Sequence, residues 1–429
     1  MIKKKILKFT MLAMFLIAIF SSGCSSDNTP VTLPQDFQRP PENVPEKVFI
    51  DVYLDATYSM RGYTTLAAGN VYRTLPDILG DIGGSMGEIK FYRFGEDIQP
   101  LDGREYRRFS SPDPYDELIT AVHNVIEKSD SSHLSIIVTD LFESDSDWSN
   151  VTQKLRDKYF ANHLAVAVIG IKNSFDGDIF DVGLNAAKFN YNSYDTPERF
   201  RPFYLILTGA EVTINDFMEK FRERQTLPNE TEYLLLSENL TESADDFSTM
   251  KIQSIENFFV DEKLHITDKR IKEFGLDSFN DAANFTFNFE YKQPLGACPL
   301  DMAALSSQVR VLYLSEGEWK VKDDNDINIE LQPAGTPNNY IARVTLTPGK
   351  SFMNDTVNFV QATLSPTAKG YKLPDWVKNW SMANVDVAPE NFDGSKTVNL
   401  IHVLGSLKDS VFATAHPALM NINFVIDLR

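Results

Sequence analysis

One stretch of fifteen residues constrains this chain more than any other: Val48-Phe49-Ile50-Asp51-Val52-Tyr53-Leu54-Asp55-Ala56-Thr57-Tyr58-Ser59-Met60-Arg61-Gly62. It opens as a run rich in apolar, β-branched and aromatic residues, the pattern of a buried strand. It closes on an aspartate, then two hydroxyl residues two positions apart, then a glycine that permits a tight turn. Carboxylate and hydroxyl oxygens are hard ligands suited to Mg2+ or Ca2+. In open α/β sheets, ligands bind at the carboxyl end of the strands, where these oxygens stand. Asp55, Thr57 and Ser59 are therefore candidate metal ligands.

The chain after this stretch alternates strand and helix signals as far as about residue 240. Val71, Leu75, Ile78, Leu79 and Ile82 recur at helical spacing, with Pro76 interrupting them. Ile89, Phe91 and Phe94 mark a strand. A turn-rich loop, Ser110 to Asp116, leads into a predicted helix whose apolar face is Leu118, Ile119, Val122, Val125 and Ile126. Leu134 to Leu141 reads as another buried strand ending in an aspartate, Asp140. Two further apolar strands, near 163–171 and 203–209, are separated by a long connection, 173–201, of a length often given to function. The alternation predicts an α/β unit with a mainly parallel sheet and helices on both faces.

Asp55-x-Thr57-x-Ser59 followed by Met60-x-Gly62, and the later apolar strand ending Thr139-Asp140, resemble the metal-site loops of von Willebrand factor A domains. In that family the first loop reads Asp-x-Ser-x-Ser and the third Thr-Asp-Gly; here Thr57 stands for the first serine and Leu141 for the glycine. The resemblance covers about 190 residues. It implies an A-domain, Rossmann-like fold and one divalent ion, Mg2+ or Ca2+, held by Asp55, Thr57 and Ser59, with Asp140 in the outer shell. It also implies a second loop carrying a threonine at the entry to a helix. No threonine stands at a clear equivalent, and Ser111, Asp113 and Asp116 are the candidates among which the sequence does not choose. The same residue types also cap helices and form turns. In A domains the cation keeps one position open for an acidic side chain of a protein partner. The implied function is therefore binding rather than catalysis.

The amino terminus speaks to compartment. Lys3, Lys4, Lys5 and Lys8 precede an apolar run, Phe9 to Phe20, that is short for a membrane span. Ser21-Ser22-Gly23-Cys24 follows and resembles a bacterial lipoprotein processing site, which implies cleavage after residue 23 and acylation of Cys24. Residues 24–46 are rich in proline and polar residues and read as a tether. The expected location is the bacterial cell envelope, with a lipid anchor and the folded part outside the cytoplasm. The only other cysteine is Cys298, so acylation of Cys24 leaves no intrachain disulfide. A formal net charge of −19 argues against nucleic-acid binding, which needs a basic face. The expected partners are a protein of the envelope or exterior and, through the anchor, a membrane.

The A-domain-like unit is expected over 47–240, a connector over 241–283, and a second unit over 284–429. In the last, Phe285, Phe287, Phe289 and Tyr291 alternate, as do Ile422, Phe424, Ile426 and Leu428, with turn signals between such runs. This predicts a C-terminal β-sandwich. The six histidines are scattered singly, so no Ser/His/Asp triad can be assembled. Two alternatives to metal-dependent binding remain. One is a scaffold whose metal site has decayed. The other is a Mg2+-dependent phosphatase resembling the haloacid-dehalogenase type, although that family places an aspartate where Thr57 stands.

Overall fold

A computed structural model describes residues 31–34, 37, 47–65, 70–141, 145–182, 187–194, 196–224, 230–241, 247, 250–260, 271–383 and 392–429. The residues read as a signal sequence, Cys24 and most of the stretch read as a tether lie outside the described residues. Among the described residues no helix is long and apolar enough to cross a membrane.

The first sheet has seven strands in the order β3-β2-β1-β4-β8-β5-β9. They are β1 (Val48–Asp55), β2 (Gly87–Phe94), β3 (Ile98–Leu101), β4 (Leu134–Thr139), β5 (Ala165–Asn173), β8 (Arg201–Gly209) and β9 (Thr231–Leu236). The strands β6 (Asp176–Val182) and β7 (Ala187–Asn192) form a separate hairpin within the long connection. The helices α1 (Leu75–Met86), α2 (Val122–Lys128), α3 (Asp145–Lys158) and α4 (Glu211–Arg222) accompany the sheet. Val52, Ile136, Val138 and Leu205 in the central strands are almost wholly buried. The apolar runs thus read as buried for the reason expected.

The expectation of a mainly parallel, A-domain-like sheet is overturned. Only the β1–β2 and β1–β4 pairings are parallel. The β2–β3, β4–β8, β8–β5 and β5–β9 pairings are antiparallel. The physical reason lies in the 173–201 connection. Among its described residues it builds no crossover helix, and the chain leaving β5 returns through the β6–β7 hairpin and runs back beside β5 as β8. Strands joined this way pair antiparallel, since parallel pairing needs a crossover. Two-sided burial makes β5 and β8 continuous apolar runs in either direction, so their composition carried no sign of the reversal.

The predicted C-terminal β-sandwich confined to 284–429 is corrected with it. Two mostly antiparallel sheets follow the first. One is four-stranded, from β10 (Ile252–Glu256), β13 (Ala283–Glu290), β16 (Asn328–Pro333) and β17 (Asn339–Leu346). The other is six-stranded, from β11 (Phe258–Val260), β12 (Lys272–Leu276), β14 (Leu305–Ser315), β15 (Glu318–Lys322), β18 (Val357–Pro366) and β21 (Met420–Asp427). Thus β10, β11 and β12 come from the stretch read as a connector. The two sheets meet through aromatic rings, with Phe274, Phe285 and Phe424 in mutual contact at centroid separations of 5.0, 5.6 and 5.7 Å. Their core is continuous with the first sheet's, and a helix α5 (Leu400–Ala415) packs its Val403, Leu404, Leu407 and Val411 face inward, against α3. One apolar interior therefore serves all three sheets.

Residues from the middle of the stretch read as a tether also take part. Val31, Leu33 and Phe37 pack with Leu312, Val357, Phe359 and Val425 on the six-stranded sheet, and Trp319 Nε1 donates to the Thr32 carbonyl at 2.8 Å.

Candidate cation site at the strand ends

The parallel register sets Leu54 opposite Val138, so β1 and β4 finish at one edge of the sheet. Asp55 closes β1 and is fully buried. Beyond it the backbone of Thr57 stays extended before a helical turn, Tyr58–Arg61, that buries Ser59 and Met60. Thr57 does not cap that turn. Instead its amide and its hydroxyl both donate to Asp55 Oδ1, at 2.9 and 2.7 Å, and its Oγ1 lies 3.0 Å from Ser59 Oγ. From β4, Thr139 Oγ1 donates to Asp55 Oδ2 at 3.0 Å. The sequence motif therefore forms one hydroxyl-lined cradle around a single carboxylate.

A fourth hydroxyl comes from a residue not singled out by sequence. Thr120 Oγ1 stands 3.4 Å from Asp55 Oδ2 and 3.3 Å from Thr57 Oγ1. It is carried there by a backbone lacing in which Glu117 N donates to the Ala56 carbonyl and Tyr58 N to the Glu117 carbonyl. Gly95 makes room for this crossing, because a Cβ there would come within 2.5 Å of the Glu117 side chain. The predicted helix begins only at Val122, and Leu118 and Ile119, placed on its apolar face by sequence, are 83% and 55% exposed. The signal available was position: Thr120 is the hydroxyl residue two before the helix.

The three candidates for that loop lie elsewhere. Asp116 is exposed and paired with Arg93, which also reaches Glu117. Ser111 donates to the Arg108 carbonyl at 2.8 Å, and Asp113 is exposed. Asp140 does reach the cradle's edge. It is 1% exposed, and its Oδ2 lies 3.6 Å from Nη2 of Arg201, itself 1% exposed. Arg201 opens β8, and an antiparallel β8 starts where β4 ends, which brings the guanidinium to this edge. Leu141, at the position of the family's glycine, adopts a left-handed φ of 58°.

Electrostatics follow from the burial. The Asp55 carboxyl is pushed up to about 7, first by desolvation and then by the Asp140 charge, against the opposing hydrogen bonds from Thr57 and Thr139. The buried guanidinium faces Asp140, whose charge bears on Asp55, and a proton or a cation at Asp55 relieves that repulsion. The donor set suits a hard cation: ligands at right angles around Mg2+, with bonds near 2.1 Å, stand about 3.0 Å apart, a separation matched by Thr57 Oγ1 and Ser59 Oγ. Among the described residues no group of three or more His, Cys, Asp or Glu is placed to hold a metal. A cation would rest on Asp55, Asp140 and the hydroxyls.

Elsewhere, burial pushes the Cys298 thiol up to about 12, which suits a packed apolar residue and not a nucleophile. The hairpin that follows β5 braces the cradle: Phe175 is fully buried, and Gly62 lies so close to it that a Cβ would meet the ring at 2.5 Å. No family model matches the chain, and neither a curated protein nor a solved structure is significantly similar to it.

Proposed function

We propose that this chain is a binding protein that holds one divalent cation, Mg2+ or Ca2+, at Asp55, Thr57 and Ser59, with Thr120 and Asp140 completing the site, and that the cation takes a carboxylate from a protein partner. The observation that carries this reading is the convergence of three hydroxyls, from Thr57, Thr120 and Thr139, on the buried Asp55 carboxylate, with the Ser59 hydroxyl beside that of Thr57. A cation in so dry a place gives strong, directional attraction to an anionic ligand. The lysine-rich, apolar amino terminus ending in Ser21-Ser22-Gly23-Cys24 supports display from a bacterial membrane by acylation of Cys24, with the folded part outside the cytoplasm. The partner is then a protein of the envelope or exterior.

The test is calorimetric titration of residues 25–429 with Mg2+, Ca2+ and Mn2+, beside Asp55→Ala. Saturable binding that the variant loses is the expected result. Absence of binding to the wild-type protein overturns the reading. A second reading, a scaffold with a decayed site, is favoured by one observation: Thr57 already satisfies Asp55 Oδ1 with two hydrogen bonds. Under that reading Asp55→Ala changes stability and nothing else.

A further inference from the structure

Arg201 is among the largest fully buried side chains of the described residues, and a buried guanidinium is costly unless its polar groups are paired. Nη1 and Nη2 have partners, whereas the buried Nε has no hydrogen-bond partner among the described residues. Nη2 faces Asp140 at 3.6 Å, Nη1 donates to the carbonyls of Gly394 and Lys396 at 3.3 and 3.4 Å, and the guanidinium carbon sits 5.6 Å from the centroid of the Phe175 ring. These contacts come from β4, from the segment before β20 (Thr397–Val398) and from the hairpin. Nearby, Tyr204 on the same strand bonds Thr397 through their hydroxyls at 2.8 Å. The guanidinium is thus held from three sides.

We propose that Arg201 sets the net charge of the cation site, so that the loaded site is positive by one charge and selects a single carboxylate as its next ligand. This rests on the cation-binding reading above. With Asp55 and Asp140 ionised, two negative charges face one positive charge. A divalent ion turns that balance to one net positive charge, which a monocarboxylate neutralises. Without Arg201 the loaded site is already neutral, and an incoming carboxylate becomes an uncompensated buried anion. The same residue repels the metal and attracts the partner, so its removal moves the two affinities in opposite directions.

The experiment measures Mn2+ affinity by water-proton relaxation, with and without acetate, at pH 8, on residues 25–429 of wild type, Arg201→Met, Arg201→Lys and Asp140→Asn, each checked for a cooperative thermal transition. Arg201→Met is expected to bind Mn2+ on the order of tenfold more tightly and acetate on the order of tenfold more weakly. Asp140→Asn is expected to do the reverse, and Arg201→Lys to keep acetate affinity near wild type. If Arg201→Met does not fold, Arg201→Gln beside Arg201→Lys carries the test, with the same opposite movement of the two affinities expected of the glutamine variant alone. Affinities for Mn2+ and acetate that move together, or do not move, overturn the role of Arg201 while leaving cation binding intact. A wild-type protein that takes up no Mn2+ overturns both.

Discussion

The burial of Asp55 makes stability depend on pH in a calculable way. Its carboxyl stands at about 7 in the folded protein against 3.8 for the free side chain. A raised carboxyl means that the native state holds the proton more tightly than the unfolded chain does. The contribution is therefore fully favourable below the unfolded value and is lost as pH rises through about 7. At about 1.4 kcal/mol per pH unit, the whole loss approaches about 4 kcal/mol, and about 3 kcal/mol of it falls between pH 5 and pH 8. Asp55→Asn keeps the shape and cannot ionise, and the Thr139 and Thr120 hydroxyls can turn to accept from its amide. Other groups titrate in the same window, so the quantity to measure is the difference between the two proteins. Urea unfolding of metal-free wild type and Asp55→Asn at pH 5 and pH 8 is expected to show the variant gaining about 3 kcal/mol on the wild type across that interval. Saturating Mg2+ at pH 8 is expected to restore the wild type and leave Asp55→Asn unchanged. Parallel pH profiles would refute the buried, uncompensated carboxylate on which the cation site is argued.

Three further substitutions probe the cradle and its supports. Thr120→Val keeps the volume and removes the hydroxyl; cation affinity should fall roughly tenfold in calorimetry while the unfolding midpoint hardly moves. Gly62→Ala drives a methyl to 2.5 Å from the Phe175 ring, and chemical denaturation should show a loss of about 2 kcal/mol. Leu141→Gly frees a left-handed backbone, worth roughly 1 kcal/mol, but empties a site where the side chain is only 5% exposed, worth roughly 3 kcal/mol or more. A net loss of about 2 kcal/mol is expected, and a stabilised variant would show that the strain at Leu141 outweighs its packing.

What the sequence disclosed about the site was what lies close together along the chain. Asp55, Thr57 and Ser59 fall within five residues of one strand end, and their hydrogen bonds follow from that spacing. Asp140 was legible because β4 is an apolar run that stops on a carboxylate. Thr120 was not, because Leu118 and Ile119 imitate the first turn of an amphipathic helix, whereas the chain there is irregular and laced to residues 56–58 by backbone bonds. Asp116 was misplaced because a carboxylate in a loop looks the same whether it meets a metal or Arg93. The β-rich remainder was legible as alternating strands, but the sharing of β10 to β12 between its two sheets depends on distant pairing that no local pattern encodes.

The reversal of β8 links the largest misjudgement of the fold to the charge of the site. In a parallel sheet the first residue of β8 would stand at the opposite edge from the end of β4, and Arg201 would be far from Asp140. Because β8 returns through the β6–β7 hairpin, its beginning lies at the end of β4, with Tyr204 opposite Thr139 and Arg201 just beyond. The hairpin also supplies the chain entry that sets Phe175 against the guanidinium and the Gly62 turn. The same departure from parallel order therefore delivers a positive charge to the buried Asp140 carboxylate and sets Phe175 against the Gly62 turn of the cradle. A site built from β1 and β4 alone would carry two uncompensated negative charges and would be neutral once a divalent ion arrived. With a divalent ion bound, the antiparallel strand would make the proposed site positive, which is the condition for a carboxylate to be drawn into a buried place.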